Sequence, residues 1–142
     1  MSDAEKEGRR DAGKNQNIRS HKELRVYHNA MDATMRIFEL TKSFPNEERY
    51  SLTDQVRRSS RAVCSCLGEC WRKRRYKAHF ISKLTDAESE AEETLVWIEI
   101  ALRCGYLDPA IAGELDKAYP HILAQLVLME SQADKWLLKP KD

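Results

Sequence analysis

The chain has 142 residues, 42% of them hydrophobic and 33% charged, with five Gly and four Pro. That length suits one domain with a real core, and the balance suits a helical protein rather than a disordered or all-β one. A formal net charge of +1 excludes a general polycation, so any affinity for nucleic acid must come from uneven placement of charge.

The first stretch, MSDAEKEGRRDAGKNQNIRS (1–20), lacks the apolar core of a signal peptide. It holds too little apolar area to offset its ordering entropy, so it reads as a disordered tail ahead of a domain over 21–142. No apolar run reaches the roughly 18 residues of a membrane span. LVWIEIAL (95–102) comes nearest, and it is short and carries Glu99. The expected compartment is the cytoplasm, with no membrane partner and with the four cysteines reduced.

Four segments then carry the 3–4 spacing of amphipathic helices. The first holds Leu24, Tyr27, Met31, Thr34, Phe38 and Thr41 and ends near Phe44-Pro45. The second opens around Ser51 or Thr53 and carries Leu52, Val56, Ser60, Val63, Leu67, Cys70 and Trp71. Phe80, Leu84, Ala87, Ala91, Leu95, Ile98 and Leu102 mark the third, which Cys104-Gly105 stops. The fourth begins with Asp108 as N-cap and Pro109 at the first helical position, then runs through Ile111, Leu115, Ala118, Ile122, Leu126, Met129, Ala133 and Trp136. Pro120 should kink this helix without ending it.

Steps of three and four residues are those of bundle seams, and the short connections force neighbours antiparallel. The expected fold is therefore all-α, an antiparallel up-down-up-down four-helix bundle. Trp97, Ile100, Leu123, Val127 and Leu128 are apolar off the main stripes of the last two helices. A helix apolar beyond one face is usually buried on two sides, which points to self-association.

Charge is segregated along the chain. Residues 57–77 carry eight basic side chains (Arg57, Arg58, Arg61, Arg72, Lys73, Arg74, Arg75 and Lys77) against Glu69, a net of +7. Residues 86–116 carry nine acidic side chains against Arg103, a net of −8. At about 100° per residue, Arg58, Arg61, Ser65, Gly68, Arg72 and Arg75 fall in one sector of the second helix. Such a stripe, with small residues at its centre, suits phosphates held without base reading. The eight cations are the candidate nucleic-acid contacts, and Trp71 and Tyr76 could add stacking, although Trp71 sits beside the apolar sector. The competing reading has the same cations favouring the helix's negative end and pairing with the acidic third helix.

Other chemistry has less behind it. Cys64, Cys66 and Cys70 follow C-x-C-x3-C spacing within one helix, not the loop-borne pairs of structural zinc sites, so no metal is expected. His21, His28, His79 and His121 are scattered, and the glutamates at 88, 90, 92 and 93 lack the Glu-x-x-His pairs of di-metal bundles. No phosphate loop or nucleophile elbow occurs, so neither an enzyme nor a cofactor is expected.

HKELRVYHNAMD, SFPNEERYSLTDQVRRSSRAV and LRCGYL, in this order, resemble the four-helix-bundle family of 23S rRNA intervening-sequence proteins. The matching pattern is an L-x-V-[WY] opening, F-P-x-E-x-Y-x-L-x-x-Q-[IV]-R-R and a closing G-Y-[LI], over residues 21 to 138. Gln55, Arg57, Arg58 and Glu69 match; Cys66 stands where the family usually has Asn, and Gly68 where it usually has Ala. The resemblance implies a homopentamer with a cationic surface. It also implies RNA or DNA as partner, or a reverse transcriptase, which a similar bundle serves as accessory protein. The alternative is a structural interaction module whose basic stripe makes subunit or partner contacts.

Overall fold

A computed structural model describes residues 2–4, 6 and 18–139, and its regular structure is helical, with no strand among the described residues. Four long helices follow in order: α1 (Arg25–Thr41), α2 (Leu52–Arg72), α3 (Lys77–Arg103) and α4 (Pro109–Ser131). A four-residue helix, α5 (Ala133–Trp136), closes the described chain. Most of the expected tail lies outside the described residues. Its two described ends carry structure: Ala4 is 2% exposed and Ile18 packs on the core.

Helix ends follow local chemistry. Ser20 caps a single 3-10 turn at His21–Glu23 through a reciprocal capping box with Glu23. Gly105 takes φ +78°, the left-handed conformation that a Cβ would strain, and ends α3. Its N–H reaches Leu102 O at 3.0 Å and the Tyr106 N–H reaches Ala101 O at 2.9 Å, the paired bonds of a Schellman stop. Asp108 Oδ1 accepts from the Ala110 N–H at 2.7 Å, and Pro109 opens α4. The helix continues through Pro120 to Ser131.

Helix α2 packs between α1 and α3, and its small buried residues let both neighbours come close. The Thr34 hydroxyl of α1 lies 3.0 Å from Ser60 O, and Thr94 Oγ1 of α3 lies 2.8 Å from Ser59 Oγ. Cys64, Cys66 and Cys70 are buried free thiols in this packing, and burial pushes Cys70 up to about 12. Contacts from α2 to α3 run in opposite residue order: Arg58 meets Glu90 and Glu93, whereas Glu69 meets Lys83 at 2.6 Å.

Two details differ from the periodic reading. The buried face of α1 is Val26, Ala30, Ala33, Thr34, Ile37 and Thr41, rotated from the stripe through Tyr27, Met31 and Phe38. Those larger side chains flank the core instead. The Tyr27 ring packs edge-on against His21 at 4.8 Å, and Phe38 lies beneath Lys42 and Arg57. The fourth stripe also breaks at Gln132, where the chain turns so that Trp136 reaches Trp71, ring to ring at 6.1 Å.

Between α3 and α4, Glu130 lies beside Glu88. Burial, a side-chain hydrogen bond with Glu88 and the Glu88 charge raise the Glu130 carboxyl to about 8. A carboxyl that holds its proton more tightly when folded stabilises fully below its unfolded value, about 4.3. That contribution is lost as pH rises through the folded value near 8. Glu130→Gln should therefore match the parent in urea unfolding near about pH 5 and exceed it near about pH 9. Parallel stability profiles of the two proteins would remove this assignment.

Candidate nucleic-acid interface

The eight basic residues expected to meet phosphate fall into two groups. Arg57, Arg58 and Lys77 are held by their own chain. Arg57 is half-buried, donates from Nε to Thr41 Oγ1 at 2.7 Å and lies over the Phe38 ring at 4.9 Å. It thereby closes the C-terminal end of α1. Arg58 bridges Glu90 at 3.3 Å and Glu93 of α3, and Lys77 reaches Asp134 of α5 at 3.1 Å. Part of the acidic third helix thus neutralises part of the basic second one.

Arg61, Arg72, Lys73 and Arg75 are exposed, with no side-chain hydrogen bond or ion pair among the described residues. Arg61 and Arg72 are eleven residues apart on one helix, which returns them to nearly the same face about 16 Å apart. Arg74 differs again. Its guanidinium lies over the Trp71 ring, 3.5 Å from the centroid, and Nε donates to Trp71 O at 2.8 Å. Burial lowers the Arg74 guanidinium below its ordinary value, with the Arg72 charge a lesser cause. Trp71 itself is 5% exposed and belongs to the core, whereas Tyr76 is 60% exposed and packs edge-on with His79.

The small residue at the centre of the stripe has an occupant. A Cβ on Gly68 would sit 3.7 Å from the His21 imidazole, in ordinary van der Waals contact. What approaches the stripe is therefore the turn that precedes α1. This turn and the end of α2 enclose a cleft of about 350 Å³. Arg19, Ser20 and His21 line one wall, Arg72, Arg74 and Arg75 another, with Trp71 and Leu138 completing it. The Leu138 N–H donates to Arg74 O at 3.1 Å and so ties the C-terminal segment across this end. Burial lowers the His21 imidazole first, and the Lys22 and Arg72 charges add to it.

Arg19 and His21 join the cationic group although charge counting along α2 did not point to them. Their signal was local: Ser20 and Glu23 form a helix-start pattern, which orders the turn and carries both side chains to α2.

A family model described as 23S rRNA-intervening sequence protein matches residues 22–127. The chain belongs to the 23S rRNA-intervening sequence protein family. The match spans α1 to α3 and most of α4, and therefore Arg57 to Lys77; Arg19, His21 and α5 lie outside it. No curated protein matches the chain. A crystal structure at 1.70 Å of a protein of unknown function from the S23 ribosomal protein family of Bacteroides thetaiotaomicron VPI-5482 is similar, with a TM-score of 0.67. The two are 24% identical, and the likeness covers 75% of this chain and 95% of the other. It shows the helical fold that this 23S rRNA-intervening sequence family member adopts. Among the described residues no helix is long and apolar enough to cross a membrane.

Proposed function

We propose that the chain is a non-enzymatic, oligomeric nucleic-acid-binding protein of the cytoplasm. In this reading it is an antiparallel up-down-up-down bundle, assembles as a homopentamer and neutralises phosphates through the basic end of α2. One observation carries the reading: Arg61, Arg72, Lys73 and Arg75 are exposed and hold no carboxylate among the described residues. A cation already paired must exchange one anion for another, whereas these four can neutralise phosphates directly and so displace the counterions condensed on the nucleic acid. Tyr76, exposed beside them, offers a ring on which a base can stack. Binding to RNA and DNA in a gel shift should weaken steeply with salt; salt-independent or absent binding sinks the proposal.

A second reading rests on a different surface. Val96 and Ile100 of α3 and Val127 of α4 remain exposed at 50%, 38% and 50%. They suit contact with another subunit or with a protein partner such as a reverse transcriptase. In that reading the basic end of α2 meets the partner's carboxylates. The triple substitution Arg72→Ala, Arg74→Ala, Arg75→Ala separates the two in light scattering. An intact oligomer with lost binding supports phosphate contact, and a smaller species supports assembly.

A further inference from the structure

The cleft at the end of α2 differs from an open basic groove. It is walled by the 19–21 turn on one side and by Leu138, hydrogen-bonded to Arg74 O at 3.1 Å, on another. Among the described residues that line it none is acidic and four are arginines. The helix end itself contributes partial negative charge of about half a unit. That contribution is answered at two of the terminal carbonyls. Arg74 Nε donates to Trp71 O at 2.8 Å and the Lys73 N–H to Cys70 O at 3.0 Å. Glu23, the carboxylate of the turn, accepts from the N–H groups of Arg19 and Ser20 at 2.6 and 3.2 Å. Among the described residues, the guanidinium groups of Arg19, Arg72 and Arg75 make no hydrogen bond or ion pair, and Arg74 uses only its Nε.

We infer that this cleft binds one phosphomonoester dianion, on a free nucleotide or at the end of a nucleic-acid strand. The geometry selects the end over the middle of a strand. An internal phosphodiester must enter and leave, which needs an open track, whereas a walled cleft accepts a group whose chain continues in one direction only. Charge selects in the same sense. A monoester carries up to two negative charges near neutral pH against the single charge of a diester, and it has three oxygens for a guanidinium fork to grip. Arg74 is pre-placed by its stack on Trp71, so it loses little rotamer freedom on binding. This goes beyond the nucleic-acid reading, since a free nucleotide satisfies it without any strand.

The test compares one short single-stranded oligonucleotide in phosphate-ended and hydroxyl-ended forms with a nucleoside monophosphate. The protein is the full chain, and the readouts are fluorescence anisotropy and the NMR pH titration of the His21 imidazole. The phosphate-ended strand should bind about tenfold more tightly than the hydroxyl-ended one. Arg19→Ala with Arg75→Ala should abolish that advantage, whereas Arg103→Ala, at the far end of α3, should keep it. Either phosphate source should also raise the depressed His21 value, because a dianion beside it favours the imidazolium. If only the monophosphate binds and moves His21, the cleft is confirmed with a free nucleotide as its ligand and the nucleic-acid reading falls. If both oligonucleotide forms bind equally and the monophosphate leaves His21 unmoved, the cleft proposal is overturned while the nucleic-acid reading stands. If nothing binds, both are overturned.

Discussion

Replacing Arg72 and Arg75 together by alanine is expected to shallow the log–log salt dependence of nucleic-acid binding while leaving the fold intact. With two phosphate-neutralising side chains removed, the slope falls by about 1.4 on a single strand and about 1.8 on a duplex. The pair is chosen because both side chains are exposed and hold no partner among the described residues, so their removal takes nothing from the core. Arg57→Ala is the opposing control. Arg57 sits in the same basic segment, yet it donates to Thr41 Oγ1 and covers Phe38. Its loss should leave the salt slope unchanged and cost about 1–3 kcal/mol of stability, the range for losing a charged, part-buried hydrogen bond. Urea unfolding and a salt series on the same two proteins check both halves. Equal salt slopes for the parent and both variants would place the phosphate-binding surface elsewhere than the end of α2.

That contrast also marks how far the site could be read from residues in order. Charge segregation between 57–77 and 86–116 is a property of composition and needs no fold. Which cations remain free depends on partners far away in the chain. Arg57 meets Thr41, Arg58 meets Glu90 and Glu93, and Lys77 meets Asp134, and periodicity on one helix carries none of these pairings. His21 lay inside the expected domain as one of four scattered histidines, whereas Arg19 was hidden for another reason. The average composition of residues 1–20 is that of a disordered tail, and an average conceals a local capping box at its border.

The helices themselves were legible where the backbone chemistry is strong. Asp108-Pro109 can begin a helix and Gly105 can end one for reasons that act within a few residues. Thr34 stood on the expected first stripe and is buried, whereas Ser59 and Thr94 stood off the expected stripes and are buried too; each satisfies its hydroxyl on a backbone carbonyl or a neighbouring hydroxyl and can then be buried like an apolar residue. The face of α1 was rotated for the same kind of reason. Tyr27 and Phe38 draw the eye as apolar bulk, yet the face that is buried carries the small Ala30 and Ala33, with Thr34 meeting α2 at Ser60 O. Size at the flank and smallness at the seam are set by the partner helix, which a single stripe does not contain.

The largest loss of stability outside the helices matched to the family is expected at Trp136. It is 2% exposed, meets Trp71 edge-on at 6.1 Å and anchors α5, beyond the matched residues 22–127. Trp136→Ala should cost about 3–5 kcal/mol, as large-to-small changes at buried aromatics do. Against a domain stability of about 5–15 kcal/mol that is a large share, worth about 10–17 °C in the melting midpoint. Trp136→Phe should do far less harm. The indole N–H is buried with no hydrogen-bond partner among the described residues, so removing it relieves about 1–3 kcal/mol of desolvation while the smaller ring gives up some packing. The phenylalanine variant is therefore expected within about 1 kcal/mol of the parent. The same residue supports the cleft, because α5 leads directly into Leu138, whose N–H holds Arg74 O. Trp136→Ala should accordingly weaken phosphate binding at temperatures where the bundle is still folded, and Trp136→Phe should preserve it. Thermal melts with near-ultraviolet circular dichroism, run beside the anisotropy assay, give both readings. An alanine variant that melts with the parent would mean that α5 contributes no docking energy, and the cleft would then lose its Leu138 wall.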